Sequence, residues 1–227
     1  MGMLGIGVGG SDAVDAMSGM PWEILFPKVV GVRLTGRLQG WTATKDIICK
    51  LAGILGVSRG KGRVIEFFGP GTATLGATAM ATICNMSAEI GSTWCIFPYS
   101  EAMARYLTAT KRGCVVKTAN AVKDVLLTAD EGSDRYYDQV IEIDLSKLEP
   151  HVNGPYTPDL AHPISQLKKA VVESDWPVTL SHSMVGSSTN SSYEDLEKTR
   201  HLVAQARAAG LNKFQTPFLV TPGSEKI

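Results

Sequence analysis

The chain has 227 residues, 44% of them hydrophobic, and its 22 basic and 22 acidic side chains cancel. That length can bury a full core, and a balanced charge without a basic stripe argues against a nucleic-acid partner. No apolar run reaches the roughly 20 residues of a membrane span, and the four cysteines, Cys49, Cys84, Cys95 and Cys114, include no Cys-x-x-Cys pair for zinc or a redox dithiol.

The first residues are glycine-rich rather than basic, so neither a signal nor a transit peptide is expected, and a cytoplasmic location is. Gly5-x-Gly7-x-x-Gly10 fits the dinucleotide fingerprint formally, but no strand precedes it and no acidic residue closes a second strand. Small residues packed at a helix entry explain it better, with Ser11 capping a helix over 12–17. The β-branched run Pro27–Thr35 predicts a strand. A helix begins at Thr42 or Thr44, with Ile47, Ile48, Leu51 and Ile54 on one face. Arg63–Phe68 is the next strand, closed by Gly69-Pro70-Gly71, and strand–helix–strand is the unit of an α/β sheet.

Gly76–Gly91 reads as a buried helix of small and apolar residues, in which Asn85 and Glu89 stand out. Four residues apart, they share a helix face. A buried carboxylate needs a partner. An amide and a carboxylate facing one way can bind a hydroxy acid or move a proton, or equally serve as a structural hydrogen bond. A short strand over 92–98, a helix capped by Ser100, a helix over 115–127 and an alternating strand over 138–145 follow. The proline-rich stretch 148–160 reads as an inter-domain connection, and His151 and His162 within it lack a third metal ligand at suitable spacing. A helix over 164–174 comes next, then a strand over 177–185.

Gly186 turns that strand into a helix over 193–209, with Ser191 and Glu194, or Ser192 and Asp195, as a capping box. The loop between them, Gly186-Ser-Ser-Thr-Asn-Ser-Ser192, sets hydroxyls and an amide around the free N–H groups of a helix start, a setting for a carboxylate or phosphate. A last strand over 214–220 precedes a polar tail.

Val185-Gly-Ser-Ser-Thr-Asn-Ser-Ser-Tyr-Glu-Asp195 resembles the aconitase family's Gly-Ser-Cys-Thr-Asn-Ser-Ser-Tyr-Glu-Asp. Further resemblance lies in Gly7-Val-Gly-Gly-Ser-Asp-Ala-Val14, in Cys84-Asn-Met-Ser-Ala-Glu-Ile-Gly91, in Asn153-Gly-Pro155 and in Thr157-Pro-Asp-Leu-Ala-His-Pro163. The resemblance implies two aconitase-like three-layer α/β domains with mixed or parallel sheets flanked by helices, the second incomplete. On that basis 1–27 is a glycine-rich segment and helix, 28–148 an α/β domain and 149–227 a partial second domain carrying the loop.

In the family the loop cysteine is the first of three thiolate ligands to a 4Fe–4S cluster, and Ser188 stands at that position here. The other two ligands belong to a Cys-x-x-Cys segment that the 227 residues do not contain, nor do they contain the family's base serine or substrate arginines. A hydroxyl replaces thiolate poorly as a cluster ligand. The resemblance therefore implies a hydro-lyase relative that holds no cluster and does not interconvert citrate and isocitrate by itself. One alternative is a shortened descendant with a cluster-independent lyase or isomerase reaction on another, carboxylic or secondary-metabolite, substrate. Asn85, Glu89, Ser188 and Asn190 would line that site, with His182 as acid or base. The other alternative is a non-catalytic binding or partner subunit. A small carboxylate is the expected ligand. Self-association or a partner chain is expected to cover faces such as 76–91, and no nucleic acid, membrane or metal is expected.

Overall fold

The computed structural model describes residues 5–6, 10–21, 23–126, 128–130, 132–187, 189–225 and 227. The fold class is α/β, as expected. In chain order the elements are β1 (Gly5–Ile6), α1 (Gly10–Met17), β2 (Lys28–Thr35), α2 (Thr44–Arg59), β3 (Arg63–Phe68), α3 (Ala77–Asn85), β4 (Trp94–Ile96), α4 (Glu101–Ala109), α5 (Gly113–Val122) and β5 (Gln139–Asp144). Then come β6 (His151–Asn153), β7 (Ala161–Pro163), α6 (Ile164–Glu173), β8 (Ser183–Val185), α7 (Tyr193–Ala208) and β9 (Phe218–Val220). The chain divides into two compact units, Met1–Gln166 and Leu167–Ile227.

The first unit is built on a sheet ordered β1-β4-β3-β2-β5. β2, β3, β4 and β5 run parallel, and β1 adds an antiparallel edge. One face carries Val30, Val32, Leu34, Ile65, Phe67, Cys95, Ile141 and Ile143, all buried. Ile47, Ile48, Leu51 and Leu55 of α2 and Met80 and Ile83 of α3 complete the same core cluster. Parallel sheets need such cover, because their crossovers lay helices on the strands. Ile54, expected on the apolar face of α2, is 39% exposed.

The opposite face is aromatic and charged. The Arg33 guanidinium lies 4.7 Å over the Phe68 ring, pairs with Asp134 and sits 3.4 Å from Glu142. Tyr137 stacks on Phe68 at 5.1 Å. Its ring lies so close to β2 that a Cβ on Gly31 would come within 2.7 Å of it.

Local chemistry adjusts several expected boundaries. α2 begins at Thr44, one of the two expected starts, and Thr42 does not cap it. Thr42 donates instead to the Leu148 carbonyl, and Asp46 reaches back to the Ala43 N–H at 2.6 Å. α2 kinks at Gly56, with φ 68°, and the freed N–H of Val57 donates to Asp159 at 3.1 Å. The run 76–91 does not stay α-helical: α3 ends at Asn85 and a 3-10 turn, Met86–Ile90, follows, stopped by Gly91 at φ 72°. Gly10 already begins α1, ahead of the expected Ser11 cap, while Gly7 of the fingerprint lies outside the described residues.

The stretch after β5 is stitched to the first unit by polar contacts rather than left as a free connection. Asp46 accepts from the His151 N–H at 2.8 Å, Asn153 donates to the Cys49 carbonyl at 3.0 Å, and Glu149 accepts from Ser165. In the second unit the expected strands shrink to β8 and β9, a parallel pair with Met184 opposite Leu219.

Because, among the described residues, the buried apolar ones lie in the first unit, truncations in the two units separate sharply. Ile65→Ala should cost about 2–5 kcal/mol in urea unfolding, whereas Leu219→Ala should stay within about 0.5 kcal/mol.

Candidate functional site

Asn85 and Glu89 both lie in the first unit, where α3 gives way to the 3-10 turn, and both are exposed. A 3-10 turn packs three residues per turn instead of 3.6, so the change of pitch between them breaks the register behind the shared-face expectation. Exposure also removes the cost of a buried carboxylate that the apolar surroundings implied. Glu89 nevertheless lies close enough to Cys49 for its negative charge to contribute to raising that thiol's pKa.

The other expected site residues belong to the second unit. His182 is exposed just ahead of β8, and Ser188 lies outside the described residues. Asn190 is half-buried: its side-chain amide donates to Asp195 at 3.2 Å, its backbone N–H donates to the Gly186 carbonyl at 3.2 Å, and its Oδ1 is buried without a partner.

The loop is fixed by backbone geometry. Gly186 has φ 149°, and a Cβ there would fall 1.7 Å from the Thr221 hydroxyl oxygen. The Ser187 N–H donates to that hydroxyl at 3.2 Å, and Ser187 itself takes φ 62°. Thr221 returns its N–H to the Val185 carbonyl at 3.0 Å, and Gly223 donates to the Ser191 carbonyl at 3.0 Å. Of the two capping boxes allowed by the sequence, the structure forms Ser192 with Asp195: Ser192 Oγ accepts from the Asp195 N–H, and Asp195 accepts from Ser192. Asp195 thus ties the loop to the helix start and holds Asn190. Sequence reasoning missed Thr221 and Gly223 as loop braces. The only signal for them is their place just after the last apolar run, which no spacing rule connects to residue 186.

The donor chemistry can be tested against the family's cluster. The described loop residues offer hydroxyls, an amide and backbone groups. All four thiols lie in the first unit. Burial pushes Cys49 and Cys84 up to about 11 and Cys95 up to about 12. Cys114 is exposed on α5, away from any second sulfur ligand in sequence. Among the described residues no group of three or more His, Cys, Asp or Glu could hold a metal ion.

Comparison with known proteins places these features. The aconitase family model, described as aconitate hydratase, matches residues 1–227. Mitochondrial aconitate hydratase of Candida albicans is 51% identical over 227 residues, covering 100% of this chain and 29% of that protein. The Emericella nidulans protein of the same name is 56% identical over 223 residues, covering 98% of this chain and 28% of its own length. Mitochondrial homocitrate dehydratase of Saccharomyces cerevisiae is 55% identical over 229 residues, covering 100% of this chain and 29% of itself. The chain therefore spans less than a third of the length of these relatives. Their names place them in mitochondria and lend no support to the cytoplasmic expectation.

Two outcomes follow. Raised thiol pKa values favour the protonated, folded form, so their contribution to stability is present up to the ordinary value of 9.0 and is lost as pH rises through about 11 to 12. Urea midpoints should therefore hold near neutrality and fall above that ordinary value, and a native thiol-reagent titration should find only Cys114 fast, all four reacting in denaturant. Separately, Gly186→Ala should open the Thr221–Val185 bond, seen as faster amide exchange at Thr221 with β2 and β3 unchanged. On its sequence, its α/β fold and these comparisons, the chain belongs to the aconitase family.

Proposed function

We propose that this polypeptide, taken by itself, is an aconitase-type chain that assembles no cluster and does not interconvert citrate and isocitrate. The observation carrying this reading is the donor set: a hydroxyl at residue 188 where the family has its loop cysteine, and three of the four thiols held protonated in the first unit. Its relatives' names favour a mitochondrial setting for the protein over a cytoplasmic one.

What the chain retains is polar and suited to ligand binding. The Gly186 loop holds backbone N–H groups and hydroxyls at the head of a 16-residue helix, a setting that favours a carboxylate. The relatives' names, aconitate hydratase and homocitrate dehydratase, point to carboxylic acids as the matching ligand class. A cluster-independent reaction on such a ligand would fall to His182, Ser188 and Asn190 of the second unit, with Asn85 and Glu89 a separate candidate pair in the first.

Anaerobic incubation with ferrous iron and sulfide, followed by desalting, should leave a colourless protein with far less than one cluster per chain and no aconitate hydration. Ser188→Cys alone should behave the same way, since one thiolate does not make a cluster site. Brown protein with stoichiometric iron and sulfide, or clear turnover of aconitate, would overturn the reading. Glu89→Gln separates the remaining possibilities: loss of a measured reaction with the fold intact assigns chemistry to the chain, and unchanged behaviour in every assay assigns it binding alone.

A further inference from the structure

The aromatic and charged face of the first unit's sheet holds a cleft of its own. Its cavity, about 330 Å³, is lined by Arg33 of β2, Glu66 and Phe68 of β3, and Pro70, Pro98 and Asp130. That volume suits a small organic ligand. Arg33, Phe68 and Pro98 lie near or just past the carboxyl ends of the parallel strands β2, β3 and β4, where open α/β sheets take their ligands. Asn85 and Glu89 belong to the other end of the sheet. The 3-10 turn that carries Glu89 is stopped at Gly91, and the Thr93 N–H then donates to the Arg63 carbonyl at the amino end of β3.

The polar groups of the cleft are acceptors. Thr72, buried in its wall, donates its hydroxyl to the Gly69 carbonyl at 2.8 Å, so its oxygen can only accept from a further partner. Tyr137 donates to Glu66; its own burial and that carboxylate raise its pKa, so the phenol stays neutral. Asp130 accepts from the Gly132 N–H at 3.0 Å and from the Ser133 hydroxyl at 2.8 Å, and these bonds lower its pKa.

The guanidinium in the cleft is already committed. Arg33 stacks on Phe68, pairs with Asp134 and lies 3.4 Å from Glu142. Arg135, whose charge reaches Asp130, lies 4.8 Å over the Tyr136 ring. Glu66, Asp130, Asp134 and Glu142 therefore outnumber Arg33 and Arg135, and a cleft with such a surplus draws cations. An anion would have to displace Asp134 and face the other carboxylates. A bare metal ion suits the cleft poorly: its walls are largely apolar, and among the described residues no three His, Cys, Asp or Glu converge.

We propose that this cleft binds a small organic cation, a primary amine whose alkyl body lies against Phe68, Pro70 and Pro98 and whose ammonium is held by the acceptors Glu66, Asp130 and Thr72. The site belongs to the first unit alone and does not depend on the donor-set reading, so either can fail without the other.

The test titrates the full chain with n-butylamine hydrochloride, using butanol and sodium butyrate as neutral and anionic counterparts, and follows backbone amide shifts by NMR. The expected result is saturable binding of butylammonium at about millimolar concentration, with shifts at Phe68, Gly69 and Asp130 and none at Asn85 or Glu89. Butanol should bind at least about fivefold more weakly, and butyrate should not bind. Glu66→Gln and Asp130→Asn, which remove charge at near-constant size, should each weaken butylammonium about three- to fivefold, with amide exchange in β2 and α2 unchanged as the sign that the unit still folds. Four results would overturn the proposal: no saturable shift; shifts centred away from the cleft; butyrate binding as tightly as butylammonium; or full affinity in both variants.

Discussion

The first unit depends on one packed surface, the contact between the buried face of the parallel sheet and the helices α2 and α3. Val30, Val32 and Leu34 on β2 alternate inward, and Ile65 and Phe67 on β3 and Ile141 and Ile143 on β5 extend the same layer. Ile47, Ile48, Leu51 and Ile83 close it, all fully buried. Each such side chain contributes about 1.5–3 kcal/mol on leaving water. Other features of the unit follow from this layer. The kink at Gly56, the Asp159 bond to Val57 and the Asp46 bond to His151 all anchor flanking chain to a helix that the core already holds in place.

The second unit works on a different principle. It is held by directional polar contacts, and these centre on the Gly186 loop. Asp195 is the hub: it caps α7 through Ser192 and holds the Asn190 amide. Thr221 braces the turn from the other side. Polar contacts specify a conformation well but add little net stability each, about 0.5–1.5 kcal/mol. A loop of defined shape and a sheet with exposed faces therefore coexist in one unit.

The cysteines connect fold to chemistry. Cys49, Cys84 and Cys95 serve the first unit as small apolar groups, and their burial in or beside the core raises their pKa values above the ordinary thiol range.

The sequence by itself determined the α/β class, the strand Arg63–Phe68 to the residue, the helix starts after Ser100 and Ser192, and the family. These rest on local signals: apolar alternation, β-branched runs, capping side chains and the contiguous motif after Val185. It also named Asn85, Glu89, Ser188, Asn190 and His182 as candidates, without showing how they are set. Only the tertiary structure decided that α3 breaks into a 3-10 turn after Asn85, that Asp195 rather than Glu194 completes the capping box, and that Thr221 and Gly223 brace a loop some 30 residues away in the chain. Two apolar runs of similar composition also met different fates, Arg63–Phe68 buried and Phe218–Val220 largely exposed. Periodicity encodes which residues can face a core. Whether a core is there to face depends on neighbours distant in sequence, and no local pattern records them.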